Sequence, residues 1–118
     1  MTKTQDRAPD FATLYAAAKA AAIAAATAED ASLPPENQRG FDCGFAWVTL
    51  KPATTPFAKW LKSQKIAGPN YSGGSGAGIW NPAGLPTQSV SVARAGAVAF
   101  ANVLKEAGFD AWASSRLD

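Results

Sequence analysis

An alanine-rich stretch near the N-terminus is the feature that most constrains the fold. Eleven of the 18 residues from Phe11 to Ala28 are alanine, the strongest helix former, and Asp10 is placed to cap the first turn. The stretch therefore predicts a helix over residues 11–28. Its apolar face consists mostly of small side chains, which allow close packing but bury little area each. The helix can lie on its own domain or pair with a copy in a second chain, and the sequence leaves both open.

Alanine also limits the size of the hydrophobic core. Of the 118 residues, 27 are alanine, so the larger apolar side chains suffice for one small domain. We assign residues 1–10 to a flexible N-terminus, 11–28 to the helix and 43–118 to an α/β core. A core this small favours association, and we expect a homo-oligomer.

The residue types that are absent exclude several kinds of chemistry. The chain has no histidine and a single cysteine, Cys43, which rules out Ser-His-Asp and Cys-His catalysis, imidazole metal sites and cysteine-rich zinc sites. Nothing in the sequence pairs the remaining lysines, hydroxyls and carboxylates into a catalytic group. The composition favours a protein without enzymatic activity, with no catalytic residue, no metal and no cofactor.

The N-terminus is polar and lacks the apolar run that follows the basic start of a secretory signal. The alanine-rich stretch contains Lys19, and over residues 11–28 it is too short and too weakly apolar to span a bilayer. We therefore expect a cytoplasmic protein with no membrane partner.

The hydrophobic pattern predicts three helices and a small three-stranded sheet in the order α-β-α-β-α-β, an α+β or α/β fold. Strands joined by helices would run parallel to one another. The elements are expected as helix one over 11–28, strand one over Cys43–Leu50, helix two from Pro56 until Gly68-Pro69 ends it, strand two around Ile79-Trp80, helix three over 89–107 and strand three over Phe109–Ser114.

Several residues mark where these elements begin and end. Thr55 is a good N-cap for helix two, with Pro56 at the first helical position. Thr87 or Ser89 caps helix three, and Gly108 stands at its stop position. Helix three is expected to bury a narrow face of mostly small residues: Val92, Ala95, Gly96, Ala99 and Val103.

Strand one alternates between two faces that both carry apolar side chains. Residues of odd number share one face and residues of even number the other: Cys43, Phe45, Trp47 and Thr49 against Ala46, Val48 and Leu50. This predicts a central strand that is covered on both sides, with Cys43 as a small buried side chain.

Charge is distributed unevenly along the chain. The span from Cys43 to Lys105 inclusive contains no Asp or Glu but six basic residues. The gap predicts a surface for an anionic ligand such as a nucleotide, and the alternative is a set of solvated lysines on helix two. The net charge of +2 is small, and the basic residues do not lie on a helix with Asn or Gln at base-reading positions, which argues against sequence-specific binding of nucleic acid.

The glycine-rich segment 70–86 lacks the Gly-Lys-Ser/Thr ending of a phosphate loop and the GxGxxG pattern of a dinucleotide site. It is either a flexible hairpin or a mobile flap that carries Tyr71 and Trp80 over a ligand.

Several strings of residues resemble a family of small bacteriophage and prophage proteins when taken in order. They are CGFAWV, FAKWLK, Tyr-x-Gly-Gly with Ile-Trp, Gln88-Ser89 before AFANVL, and Ser-Arg-Leu-Asp at the C-terminus, within residues 43–118. The sequence departs from the family in a longer Gly73–Gly78 stretch and in its alanine-rich helix. The resemblance implies a phage protein in the host cytoplasm and supplies no mechanism.

Two functions from different classes remain. The first is a non-enzymatic protein that binds a small anionic ligand, as a phage sponge for a nucleotide signal of host immunity would. The second is a structural or partner-binding phage protein whose alanine faces and aromatic residues form protein interfaces. For the first, cations would hold phosphates and rings would hold a base. The candidate ligand-binding residues are Trp47, Lys51, Lys59, Tyr71, Gly73, Gly74, Trp80, Gln88, Arg116 and Asp118.

Arg116 is the strongest single candidate because its planar guanidinium suits phosphate or carboxylate. It follows the last strand, and Asp118 lies two residues further on, where it can orient the guanidinium. In the alternative, Arg116 pairs with Asp118 or with the terminal carboxylate in solvent.

Overall fold

A computed structural model describes residues 8–33, 43–85 and 89–117 of the chain. Within these ranges the fold is α+β, with three helices and an antiparallel sheet of four strands in the order β2-β3-β1-β4. The elements are α1 (Ala8–Ser32), β1 (Gly44–Lys51), α2 (Pro56–Ser63), β2 (Gly68–Pro69), β3 (Ala77–Trp80), α3 (Val90–Glu106) and β4 (Asp110–Leu117).

The expected sheet of three strands in a simple α-β-α-β-α-β order is corrected in two ways. Gly68–Pro69, expected to do no more than end helix two, pairs with β3 as a fourth strand. The strands are not parallel neighbours either, because β1 pairs antiparallel with both β3 and β4. Since β3 and β4 flank β1, they run in the same direction and α3 connects them across it. Which strands become neighbours depends on these long-range pairings, which the local pattern of each strand does not encode.

The start of α2 is confirmed. The Thr55 hydroxyl accepts a hydrogen bond of 3.2 Å from the backbone N–H of Ala58, and Pro56 occupies the first turn. At α3, the Ser89 hydroxyl likewise accepts from the N–H of Val92 at 3.4 Å. Both caps satisfy backbone N–H groups that have no partner within the helix.

The end of α2 differs from the prediction. The helix stops at Ser63, and Lys65 adopts a left-handed conformation with φ of 62°. The N–H of Lys65 then donates to the carbonyl of Lys62, and the N–H of Ile66 to that of Leu61. Glycine usually closes a helix in this way, as Gly108 does after α3 with φ of 97°. A lysine in this role leaves no signal in the sequence, so the helix was expected to continue to Gly68-Pro69.

Helix α1 begins at Ala8 and is longer than its alanine-rich part, so Asp10 lies in its first turn rather than capping it. The correction matters because the stretch was expected to be too short to span a bilayer. Asp10–Ser32 is long and apolar enough to do so by length and composition alone. In this structure 22% of that apolar window is buried, and the small side chains of Ala18, Ala22 and Ala26 are fully buried.

Helix α3 is the centre of the core, because it packs on β1 and β4 and also on α1. A Cβ atom at Gly96 would lie 2.8 Å from the Ala83 Cβ and 3.3 Å from the carbonyl oxygen of Ala22. Only glycine therefore lets α1, α3 and the segment after β3 meet at this point. The buried face of α3 is wider than expected, because the helix packs against the sheet on one side and against α1 on the other. Of the residues expected on this face, Ala95, Ala99 and Val103 are only half-buried. Its buried residues are Val92, Ala93, Gly96, Ala97, Phe100, Ala101 and Leu104.

Candidate functional site

One face of the sheet carries the helices and the other, which we call the open face, carries aromatic rings. The even-numbered residues of β1 are buried under the helices, so the odd-numbered ones point to the open face, as the alternation predicted. The pairing register places β3 and β4 residues beside them. The open face comprises Phe45, Trp47, Thr49 and Lys51 of β1, Gly78 and Trp80 of β3, and Asp110, Trp112, Ser114 and Arg116 of β4, with Tyr71 lying over Gly78.

Trp80 stands at the middle of an aromatic cluster on this face. Its ring is stacked with Trp47 at an interplanar angle of 7° and a centroid distance of 5.8 Å. It also contacts Phe45 at 5.4 Å and the edge of Tyr71 at 5.2 Å. These separations are typical of attractive ring pairs. Trp80 nevertheless remains 42% exposed, so its ring is fixed by the neighbouring rings and still accessible to solvent.

Glycine makes room for Tyr71. A Cβ atom at Gly78 would collide with the backbone oxygen of Pro69 and come within 2.5 Å of the tyrosine ring. At Gly68, on the neighbouring strand, a Cβ would stand 3.0 Å from the tyrosine hydroxyl oxygen. The ring therefore lies across two strands where side chains are missing, and this places it against Trp80.

The turn that carries Tyr71 is held to β1 by hydrogen bonds. The side-chain oxygen of Asn70 accepts from the Thr49 hydroxyl at 3.2 Å and from the backbone N–H of Ser72 at 2.9 Å. The Asn70 amide nitrogen donates to the carbonyl of Ser75 at 2.7 Å. The indole N–H of Trp47 donates to the Ser72 hydroxyl at 3.0 Å. The first half of the glycine-rich segment is thus a turn fastened to the open face.

Gly73 and Gly74 form the tip of this turn. Both are exposed, have φ of 89° and 83°, and would leave an added Cβ without a neighbour within 4 Å. Their role in the described structure is to let the chain reverse, because left-handed backbone is accessible to glycine without strain.

Two cations lie on aromatic rings at opposite ends of the open face. The guanidinium carbon of Arg116 is 5.7 Å from the centroid of Phe45, and the Lys51 ammonium is 5.6 Å from that of Trp112. Because Phe45 also contacts Trp80, a guanidinium, a ring and an exposed indole stand in a row. This arrangement can accept a planar ring and an anionic group together.

Not all of the predicted site residues come together. Lys59 is exposed on α2, whose Phe57 packs on Phe11 of α1, so it belongs to the helical side of the molecule. Gln88 and Asp118 lie outside the described residues, and with them the expected pairing of Asp118 with Arg116. Those that meet on the open face or the turn above it are Trp47, Lys51, Tyr71, Gly73, Gly74, Trp80 and Arg116.

The structure adds residues that the candidate set missed. Phe45 and Trp112 hold the two cations, and Asn70 and Ser72 fasten the turn. The rings had a signal in the sequence, since Phe45 alternates with Trp47, and Trp112 with Arg116, at strand spacing. The polar pair in the turn had none, because its partners are more than 20 residues away.

On the helical side, a surface groove of ≈ 590 Å³ runs along α3 between α1 and the end of β4. A second one, of ≈ 350 Å³, lies between the start of α1 and the end of α3. Among the residues that the structure describes, no group of three Cys, Asp or Glu side chains is placed to hold a metal ion. No protein-family model, curated protein or solved structure matches the chain.

Proposed function

We propose that the open face binds a small ligand that combines a planar aromatic ring with an anionic group, as a nucleotide does, and that the protein acts by holding this ligand rather than by transforming it. The observation that carries the proposal is the exposed Trp80 ring, fixed by Phe45, Trp47 and Tyr71, with Arg116 over Phe45.

The rings are arranged before any ligand arrives. Trp47 is 6% exposed, stacked on Trp80 and hydrogen-bonded to Ser72, so ordering the central rings on binding costs little conformational entropy. A base that stacks on Trp80 would cover apolar area that the fold leaves open, and Tyr71 would bound it on one side. The site thus supports stacking in one place rather than diffuse adhesion over the sheet.

The size of these contributions indicates what kind of ligand fits. Stacking of one base on an aromatic side chain contributes about 1–3 kcal/mol, and a charge-assisted hydrogen bond about 1.5–3 kcal/mol. One ring and one cation together therefore correspond to roughly millimolar binding. Tighter binding requires a second contact of either kind. The Tyr71 ring beside Trp80 can supply it to a ligand with two rings, and Lys51, at the other end of the open face, can supply it only to a ligand long enough to reach that end.

A protein of this kind, encoded by a phage, would serve as a sponge that lowers the free concentration of a nucleotide signal in the host cytoplasm. Sequestration needs affinity and abundance but no catalytic group, which agrees with a chain that has no histidine.

One observation favours single-stranded nucleic acid as a second candidate ligand. The rings lie on an open sheet without side walls, and successive bases of a single strand stack on surfaces of that kind without sequence preference. This alternative differs from the first in the size of the ligand rather than in the residues that bind it.

Isothermal titration of the wild-type protein with mononucleotides, cyclic dinucleotides, cyclic ADP-ribose isomers and a short single-stranded oligonucleotide tests both. We expect saturable binding of a small nucleotide, lost in Trp80→Ala and retained in Trp60→Phe, a change on the helical side. Binding of the oligonucleotide alone would favour the second candidate. Binding of none of these ligands at millimolar concentration would refute a nucleotide site.

A further inference from the structure

The outer edge of β4 is a long strand edge without a partner among residues 8–33, 43–85 and 89–117. All eight of its residues pair with β1 on the inner side, from Asp110↔Lys51 to Leu117↔Gly44. It contains neither proline nor glycine. The opposite edge of the sheet is β2, which has only two residues, one of them Pro69. Short strands and proline are devices that prevent edge pairing, and β4 has neither.

We propose that β4 pairs antiparallel with β4 of a second copy of this chain, which joins the two sheets into one of eight strands. The twofold axis passes through Ala113, so that Ala113 of one copy lies opposite Ala113 of its partner. This interface does not require a ligand, although Arg116 belongs both to it and to the proposed ligand site.

Charge complementarity selects this register. Asp110, Trp112, Ser114 and Arg116 are the β4 side chains on the open face. Centring the pair on Ala113 places Asp110 of each copy opposite Arg116 of the other, and symmetry repeats the contact. Opposite charges directly across an antiparallel pair are stabilising.

Other registers lose both contacts. A slip that places the axis between two residues would set open-face side chains against helical-face ones, which the pleat disfavours. A symmetric slip by one position of the axis places Asp110 opposite Ser114, or Arg116 opposite Trp112. Only the register centred on Ala113 pairs both charges in both copies.

The helical side of the molecule fits the same dimer. Helix α3 packs on both β1 and β4, so it lies on the β4 side of the sheet, near the edge that the second copy would join. If its axis lies midway between the two strands, which are about 4.8 Å apart, the two α3 axes of the dimer would be about 10 Å apart, which is the distance at which helices pack.

Small and apolar residues of α3 lie in the groove on the β4 side of the molecule. The groove along α3 reaches Ser115 on β4, and its lining combines Ala95, Val98 and Ala99 with the polar side chains of Arg94 and Asn102 on α3 and with Glu29 of α1. Val98 is 36% exposed, an apolar side chain with little cover in the single chain. Pairing of the β4 edges would bury it against the α3 helix of the second copy, so one operation covers both the strand edge and the apolar face.

Charge reversal tests the register. We expect the wild-type mass by light scattering to be that of a dimer at micromolar concentration, and Asp110→Arg or Arg116→Asp alone to weaken the dimer at least tenfold. The double variant Asp110→Arg/Arg116→Asp restores opposite charges and should regain the dimer. Lys62→Glu, an exposed charge reversal on α2, is the matched control and should leave the mass unchanged. Circular dichroism confirms that each variant is folded.

A disulfide provides a second test that does not depend on charge. In a Cys43→Ala background, Ala113→Cys should form a cross-linked dimer on oxidation, because opposed residues have Cα atoms about 4.5–5.5 Å apart, within disulfide range. Ser115→Cys lies on the same face of β4 but about four residues from its copy, and should not cross-link. A monomeric wild type overturns the proposal. So does a dimer that ignores charge reversal and does not cross-link through residue 113.

Discussion

The two faces of the sheet carry different types of side chain. The helical face combines aliphatic side chains such as Val48, Leu50 and Ile79 with alanines, and the helices that cover it meet it through Phe100 and Leu104. The open face carries rings and cations. Because alanine side chains are small, the helices pack closely and exclude water. The helices of the chain therefore cover the helical face of the sheet. The rings bury one another only in part, so this side retains apolar area for another molecule.

The difference separates stability from binding. A change on the helical face should act mainly on the free energy of unfolding, because its side chains are fully buried and make their contacts within the chain. A change on the open face should act mainly on ligand affinity, because its exposed groups contribute little to the core. Each prediction below tests this separation.

The largest effect is expected for Ala22→Glu on α1. Ala22 is fully buried where α1 crosses α3 at Gly96, so the carboxylate would be buried without a partner. The free energy of unfolding should fall by about 3–5 kcal/mol, measured by urea denaturation. Ala24→Glu, on the exposed side of the same helix, is the control and should change it by less than about 0.5 kcal/mol. Equal stability of the two variants would mean that α1 does not pack on α3 in solution.

Removal of the central ring of the open face comes next. Trp80→Ala should weaken nucleotide binding by ten- to a hundredfold, equivalent to about 1–3 kcal/mol for one lost stacking partner. Phe100→Ala deletes a fully buried ring on the other side of the sheet and should instead lower the free energy of unfolding by about 3–5 kcal/mol. If Trp80→Ala lowered the free energy of unfolding as much as Phe100→Ala, the separation of stability on the helical face from binding on the open face would be wrong.

Arg116→Ala should weaken binding of an anionic ligand by about tenfold, the loss of one charge-assisted hydrogen bond, while circular dichroism shows the fold of the chain unchanged. Arg116→Lys should recover only part of the affinity, because an ammonium lacks the planar fork of the guanidinium. Asp110→Ala is the control that affects the proposed β4 pairing without removing the cation. Affinity equal to the wild type in Arg116→Ala would mean that the guanidinium does not contact the ligand.

The smallest effect is expected at the turn. Ser72→Ala removes the acceptor of the Trp47 indole N–H and should lower the free energy of unfolding by about 1 kcal/mol. Ligand affinity should fall only a few-fold, because the Trp47 ring remains stacked on Trp80. Ser75→Ala is a matched control, since Ser75 accepts through its backbone carbonyl and the substitution keeps that bond. A larger loss of affinity for Ser72→Ala would show that the turn itself contacts the ligand.

The elements that local chemistry specifies were predictable. Thr55 and Ser89 cap helices, and Gly108 ends one, because each acts on backbone groups within a few residues of itself. The alternation of β1 assigned Phe45 and Trp47 to one face for the same reason, since successive side chains of any strand point to opposite sides. These features depend on neighbours in the sequence, so they can be derived without knowing where the rest of the chain lies.

Only the tertiary structure determines which distant segments of the chain become neighbours. Lys65 takes a left-handed conformation usually given to glycine, and β4 lies beside β1 although some 60 residues separate them along the chain. The assembly of Trp80, Phe45 and Arg116 follows from that pairing, because the three come from three different strands. The amino-acid composition already showed that a binding site in this chain would consist of aromatic and basic side chains and would contain no histidine. Their placement on one face depended on which strands became neighbours, and that is decided by the packing energy of the whole chain rather than by the local preference of any segment.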